Sequence, residues 1–65
     1  SLSMVIEGNH SVAYEMLYPD NSAKNDEMKL VKRIEFHGSY VVLIDQNGKG
    51  KLLPTHAIKE INWHR

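Results

Sequence analysis

At 65 residues with no cysteine, the chain has room for one domain, and a disulfide framework, a thiolate metal site and a catalytic cysteine are excluded. Eight basic and eight acidic residues give a net charge of zero, which speaks against a generic nucleic-acid binder. A chain this short buries only about 60% of its unfolded surface, so close packing or oligomerisation has to supplement a thin core, and oligomerisation is the favoured expectation.

Ser1-Leu2-Ser3 reads as a cloning remnant ahead of Met4, the expected native start. Met4-Val5-Ile6 lacks the basic flank and long apolar run of a signal peptide. No segment approaches the ~20 apolar residues of a membrane span. With cysteine absent, the expectation is a cytoplasmic protein with no membrane association.

From His10 to Tyr18, the residues Val12, Tyr14, Met16 and Tyr18 recur at period two, the signature of a half-buried strand. Pro19-Asp20-Asn21-Ser22 consists of turn formers and should end it. Residues 19–28 are polar and are expected to form one long, mobile loop, with a single helical turn over Ala23–Glu27 as the alternative there. From Lys29 to His37, Leu30, Ile34 and Phe36 alternate with Val31, Arg33, Glu35 and His37, which predicts a strand with its second set on the wet face. Gly38-Ser39 marks a turn, and Tyr40–Ile44 is apolar on both faces, as a central strand should be. Asn47-Gly48 between apolar runs predicts a hairpin returning through Lys49–Leu53. Pro54 cannot donate to a ladder, and Thr55-His56-Ala57 fits one 3₁₀ turn. In the last strand Ile58 and Ile61 differ in parity, which requires a bulge or a late start near Lys59. The expected core is Val12, Tyr14, Met16, Leu30, Ile34, Phe36, Val41, Leu43, Leu52, Ile58 and Ile61, with Val42 and Ile44 facing outward.

The chemistry-bearing residues are sparse. His10, His37, His56 and His64 have no ligand-pair spacing and are read as solvent-exposed, so no metal is expected. The carboxylates are scattered, Ser11, Ser22 and Ser39 have no elbow motif, and neither catalysis nor a cofactor is expected. Asn47-Gly48-Lys49-Gly50-Lys51 lacks the helix of a phosphate loop, and turn geometry accounts for its glycines. The charge is uneven along the chain: residues 1–28 carry five carboxylates against one lysine, a net of −4, and residues 29–65 carry seven cations against three carboxylates, a net of +4. Lys32, Arg33, Lys49, Lys51 and Lys59 are therefore the candidate contacts for nucleic acid, with Tyr40 or Trp63 available to stack on a base. Trp63 is otherwise read as a core plug or, if exposed, as an interface anchor beside Val42 and Ile44.

The order of elements resembles the SH3-like small barrels over nearly the whole chain. Leu17-Tyr18-Pro19-Asp20 stands where SH3 domains carry an aromatic-acidic strand end, and Leu53-Pro54-Thr55-His56-Ala57-Ile58 is similar to the segment that forms their 3₁₀ turn. The resemblance implies an all-β, five-stranded barrel or strongly bent antiparallel sheet with one 3₁₀ turn before the last strand. It does not carry proline-peptide recognition across. Ala57 stands at the position of the turn tyrosine, and Gly38-Ser39-Tyr40 stands where a tryptophan is expected, so most of an aromatic-lined groove is missing. Sm-like RNA-binding proteins share such a sheet and assemble into rings, but their sequence signatures are not found here. The functional expectation is a non-catalytic module that self-associates or docks onto a larger protein, with weak nucleic-acid binding through the basic half as the alternative.

Overall fold

In the computed structural model, which describes residues 1–65, five antiparallel strands form one sheet: β1 (Met4–Leu17), β2 (Ala23–Phe36), β3 (Tyr40–Asp45), β4 (Gly50–Pro54) and β5 (Ile58–His64). A single 3₁₀ turn, Thr55–Ala57, joins β4 to β5. The spatial order is β4-β3-β2-β1-β5, so consecutive strands pair from β1 to β4 and β5 returns beside β1. The sheet is not closed, because β4 and β5 remain separate edges. The all-β, five-stranded architecture is as expected, in the form of a bent open sheet. No helix is long and apolar enough to cross a membrane.

Register shifts bend the sheet, because each inserts an unpaired residue and sharpens the local twist. In β1 an extra residue falls between Glu7 and His10, beside Gly8 at φ +128°. Between Val31 and Met28 the extra residue belongs to β2, where Leu30 has φ +57°. Between β2 and β3 the pairs Val31–Asp45 and Arg33–Ile44 leave Lys32 unmatched. In β5 the pairs Ala13–Glu60 and Tyr14–Ile58 leave Lys59 unmatched, at the position where the parity of Ile58 and Ile61 requires it.

Val12, Tyr14, Val31, Ile34, Val41, Leu43 and Leu53 form the buried cluster, with Ile6, Met16, Met28, Phe36, Ile58 and Ile61 packed at its margin. Two pairs of neighbours, Leu30 with Val31 and Leu52 with Leu53, depart from expectation. Leu30 is 46% exposed, because its left-handed backbone turns it out of the alternation and leaves Val31 to fill the core. Leu52 is 64% exposed: it pairs with Val42, and directly opposed residues share a face. Its neighbour Leu53, opposite Val41, is buried in its place.

Residues 19–28 also differ from the long loop expected of them. The turn occupies only Tyr18–Ser22, pinned by Tyr18 N–H to Ser22 O at 2.9 Å, and by Asp20 Oδ1, which accepts from the Ser22 amide at 2.9 Å and its hydroxyl at 2.6 Å. From Ala23 onward β2 is laddered to β1 through Leu17–Ala23, Met16–Lys24, Glu15–Asn25 and Tyr14–Asp26. The hairpin between β3 and β4 is capped by Asp45, whose Oδ1 accepts from the amides of Asn47 and Lys49, both at 2.9 Å, with Gly48 at φ +81°. The 3₁₀ turn is tied to the turn between β2 and β3 by Thr55 N–H to Ser39 O at 2.9 Å and by the Thr55 hydroxyl to Gly38 O.

Candidate functional site

Val42 and Ile44 lie on the face opposite Val41 and Leu43, as expected, and both are half-buried. Pairing carries that face across the sheet in two rows, Val5–Glu35–Val42–Leu52 and Glu7–Arg33–Ile44–Gly50. Between the apolar residues runs a charged ladder. Arg33 Nε donates to Glu35 Oε2 at 2.7 Å, the His37 ring nitrogen lies 3.0 Å from Glu35 Oε1, and Arg33 reaches Glu7 at 3.6 Å. The hydrogen bond from Arg33, and after it that from His37, holds the Glu35 carboxyl below the ordinary glutamate range. The same bond raises Arg33. His37 also stacks flat on Tyr40, with ring centroids 4.7 Å apart, so neither ring stands free.

The basic residues do not form one strip. Arg33 is engaged by Glu35 and Glu7, Lys51 lies over the Tyr14 ring at 5.6 Å, and Lys59 faces Glu15 at 3.8 Å. Lys59 sits on β5, at the opposite edge of the sheet from β4. Lys49 and Lys51 line one groove at the tip of the hairpin between β3 and β4, and Lys32 is exposed at its unmatched position on β2.

Trp63 is not a core plug. It is 64% exposed on the β5 edge, with the Arg65 guanidinium 5.7 Å from its ring. Two of the four histidines expected to be exposed are not: His10 is buried opposite Trp63 with Nδ1 unpartnered, and His37 is half-buried between Glu35 and Tyr40.

The shifts near Gly8 and Leu30 frame an open cleft of about 550 Å³ lined by Asn9, Ser11, Glu27, Lys29, Leu30 and His64. Ser11 Oγ lies 3.0 Å from His64 Nε2. This is the spacing of a nucleophile and a base, but Ser11 is buried and no carboxylate orients the second His64 nitrogen. Sequence spacing carries no sign of the pair, which is 53 residues apart and depends on β1 and β5 meeting. Nowhere do three His, Asp or Glu side chains converge as a metal site.

The sheet has a further opening. β3 pairs with β2 only from Val31 onward, the last link being Gln46 N–H to Leu30 O at 3.0 Å. Ala23–Lys29 is therefore laddered on one side only, in a two-stranded ribbon with β1 whose Glu15–Leu17 stretch borders Pro54 and the 3₁₀ turn and whose tip carries exposed Leu17 and Tyr18. A groove of about 350 Å³ separates the ribbon from the hairpin tip, between Asp26, Glu27 and Met28 on one side and Asp45, Lys49 and Lys51 on the other. No family model, curated protein or solved structure matches the chain.

Proposed function

We propose that the chain is a non-catalytic interaction module that works by associating with other protein chains, its own copies first among them. The observation that carries this is an open sheet whose edges bear large apolar side chains: Leu52 on β4, Trp63 on β5, and Leu17 and Tyr18 on the ribbon. Unpaired edges and exposed aromatic side chains are what protein partners cover. The lack of cysteine suits a reducing, cytoplasmic setting. Light scattering over a concentration series tests the reading. Association predicts a mass rising above the 7.5 kDa of the chain. A monomer at every concentration up to high micromolar overturns self-association.

Nucleic-acid binding is the second reading, and Lys49 and Lys51 at the exposed hairpin tip favour it. It predicts affinity for single-stranded DNA or RNA that falls steeply with salt, and that K49E/K51E weakens uniformly across sequences. Salt-insensitive binding, or binding unchanged in that variant, rules it out.

A further inference from the structure

We infer that the free edge of β2, Ala23–Glu27, is the self-association surface, and that its occupant is the same segment of a second copy, paired antiparallel about a two-fold axis at Asn25. This rests on the reading of the chain as a self-associating module and names the surface it uses.

The backbone of this edge is available. The Glu27 amide has no ladder partner and is taken up by the neighbouring Asp26 Oδ1 at 2.8 Å. It therefore points away from β1, and at the strand period of two so do the amides of Ala23 and Asn25. Pairing about Asn25 sets Asn25 against Asn25 and Ala23 against Glu27, so the outward-pointing residues exchange bonds. Glu27 N–H passes from its own Asp26 to the second copy.

The side chains of the segment are self-complementary in that register. Lys24 falls opposite Asp26 of the second copy, and Asp26 opposite its Lys24. They lie at non-hydrogen-bonded positions, where side chains are closest, and opposite charges there stabilise pairing. All four residues from Lys24 to Glu27 are exposed in the single chain. Moving the axis to Asp26 would oppose two carboxylates. Moving it to Met28 would drive the partner strand into β3, which occupies β2 from Val31 onward. About Asn25 the partner's strand instead ends at its Ala23, opposite Glu27, short of the stretch of β2 that β3 occupies.

The other edges are guarded. β4 is five residues long, carries Lys51 and ends in Pro54, and β5 is interrupted by its bulge at Lys59. The β2 edge has neither proline nor bulge between Ala23 and Glu27. Its guard is Asp26, which the pairing itself would release.

The test is a charge swap read by light scattering. K24E sets a second carboxylate against Asp26 in each cross-strand pair, and D26K sets a second ammonium against Lys24. Each variant alone should therefore run at the chain mass of 7.5 kDa where the parent runs at twice that. Mixed in equal amounts, the two should recover the doubled mass as a heterodimer, because both cross-strand pairs are then of opposite sign. Recovery also shows that both variants fold. If the parent associates and both variants associate as well as it does, the surface lies elsewhere, and the interaction reading survives without this inference. If both variants are monomeric and the mixture stays monomeric, this register is wrong. A parent that is monomeric throughout overturns self-association and this inference with it.

Discussion

Glu35 accepts a hydrogen bond from Arg33 Nε at 2.7 Å, between two residues that stand on the same face of β2 one strand period apart. The contact sits among Val42, Ile44 and Leu52 on the outer face, where it supplies polar surface to a sheet that would otherwise present a continuous apolar strip.

Acid should weaken the fold through this pair. Glu35 is held below the ordinary glutamate value of 4.5, first by Arg33 and then by His37. A depressed folded value means stability that is fully present above the unfolded value and lost as pH falls through the folded one. Urea unfolding at pH 7 and pH 3 should show a larger loss of stability in the parent than in Glu35→Gln, which has no carboxylate to protonate. Equal losses in the two proteins would show that the pair contributes nothing to the acid limb.

Gly8→Ala should destabilise the protein although the residue is exposed. Gly8 has φ +128°, which L side chains rarely adopt, and an added Cβ would lie 3.3 Å from His10 Cε1, a side chain already buried. Backbone strain of this kind costs about 1–3 kcal/mol. The urea midpoint should fall with the m-value unchanged, since the surface exposed on unfolding is the same. A midpoint within error of the parent would mean that the bulge relaxes around the methyl group.

How much of this was legible in the sequence depends on where the period of two survives. The bulge at Lys59, the hairpin after Asp45 and the 3₁₀ turn follow from parity, from Asn47-Gly48 and from Pro54, all local signals. Leu30 and Val31 exchange their expected places because β2 carries irregularities at Leu30 and Lys32, and their combined effect places Val31 and Ile34, three apart, on the same side. No residue type announces this: leucine has no preference for the left-handed backbone that Leu30 adopts. Lys24-Asn25-Asp26-Glu27 is depleted in strand formers and reads as loop, and the ladder to β1 overrides that local preference. The free β2 edge was hidden for the same reason. Leu52 was not legible, because its face depends on the hairpin register: the loop of three residues between Asp45 and Lys49 sets it opposite outward-facing Val42, whereas a two-residue Asn47-Gly48 turn would set it opposite Leu43.

Trp63 provides a direct optical readout of its edge. With the indole 64% exposed, acrylamide should quench its fluorescence in the dilute folded protein nearly as well as in urea. It is the chain's one tryptophan, so the signal has a single source. Quenching that is weak when folded and strong in urea would put the indole under cover. If quenching is strong when dilute and falls on concentrating, β5 joins the surfaces that association covers.

Leu52 and Leu53 are chemically identical neighbours with opposite surroundings, and truncating each in turn separates core from surface. Leu53 is 4% exposed against Val41, so Leu53→Ala should cost about 2–5 kcal/mol, as large-to-small changes in cores do. A domain of this size rarely has more than about 3–5 kcal/mol to lose, so that variant should be largely unfolded or have its urea midpoint moved close to zero. Leu52 is 64% exposed, and Leu52→Ala should stay within about 0.5 kcal/mol of the parent in dilute solution. A loss at Leu52 that appears only at concentrations where the parent associates would assign the side chain to an interface. The same loss in dilute monomer would place it in the core and reverse the register of β4 on β3.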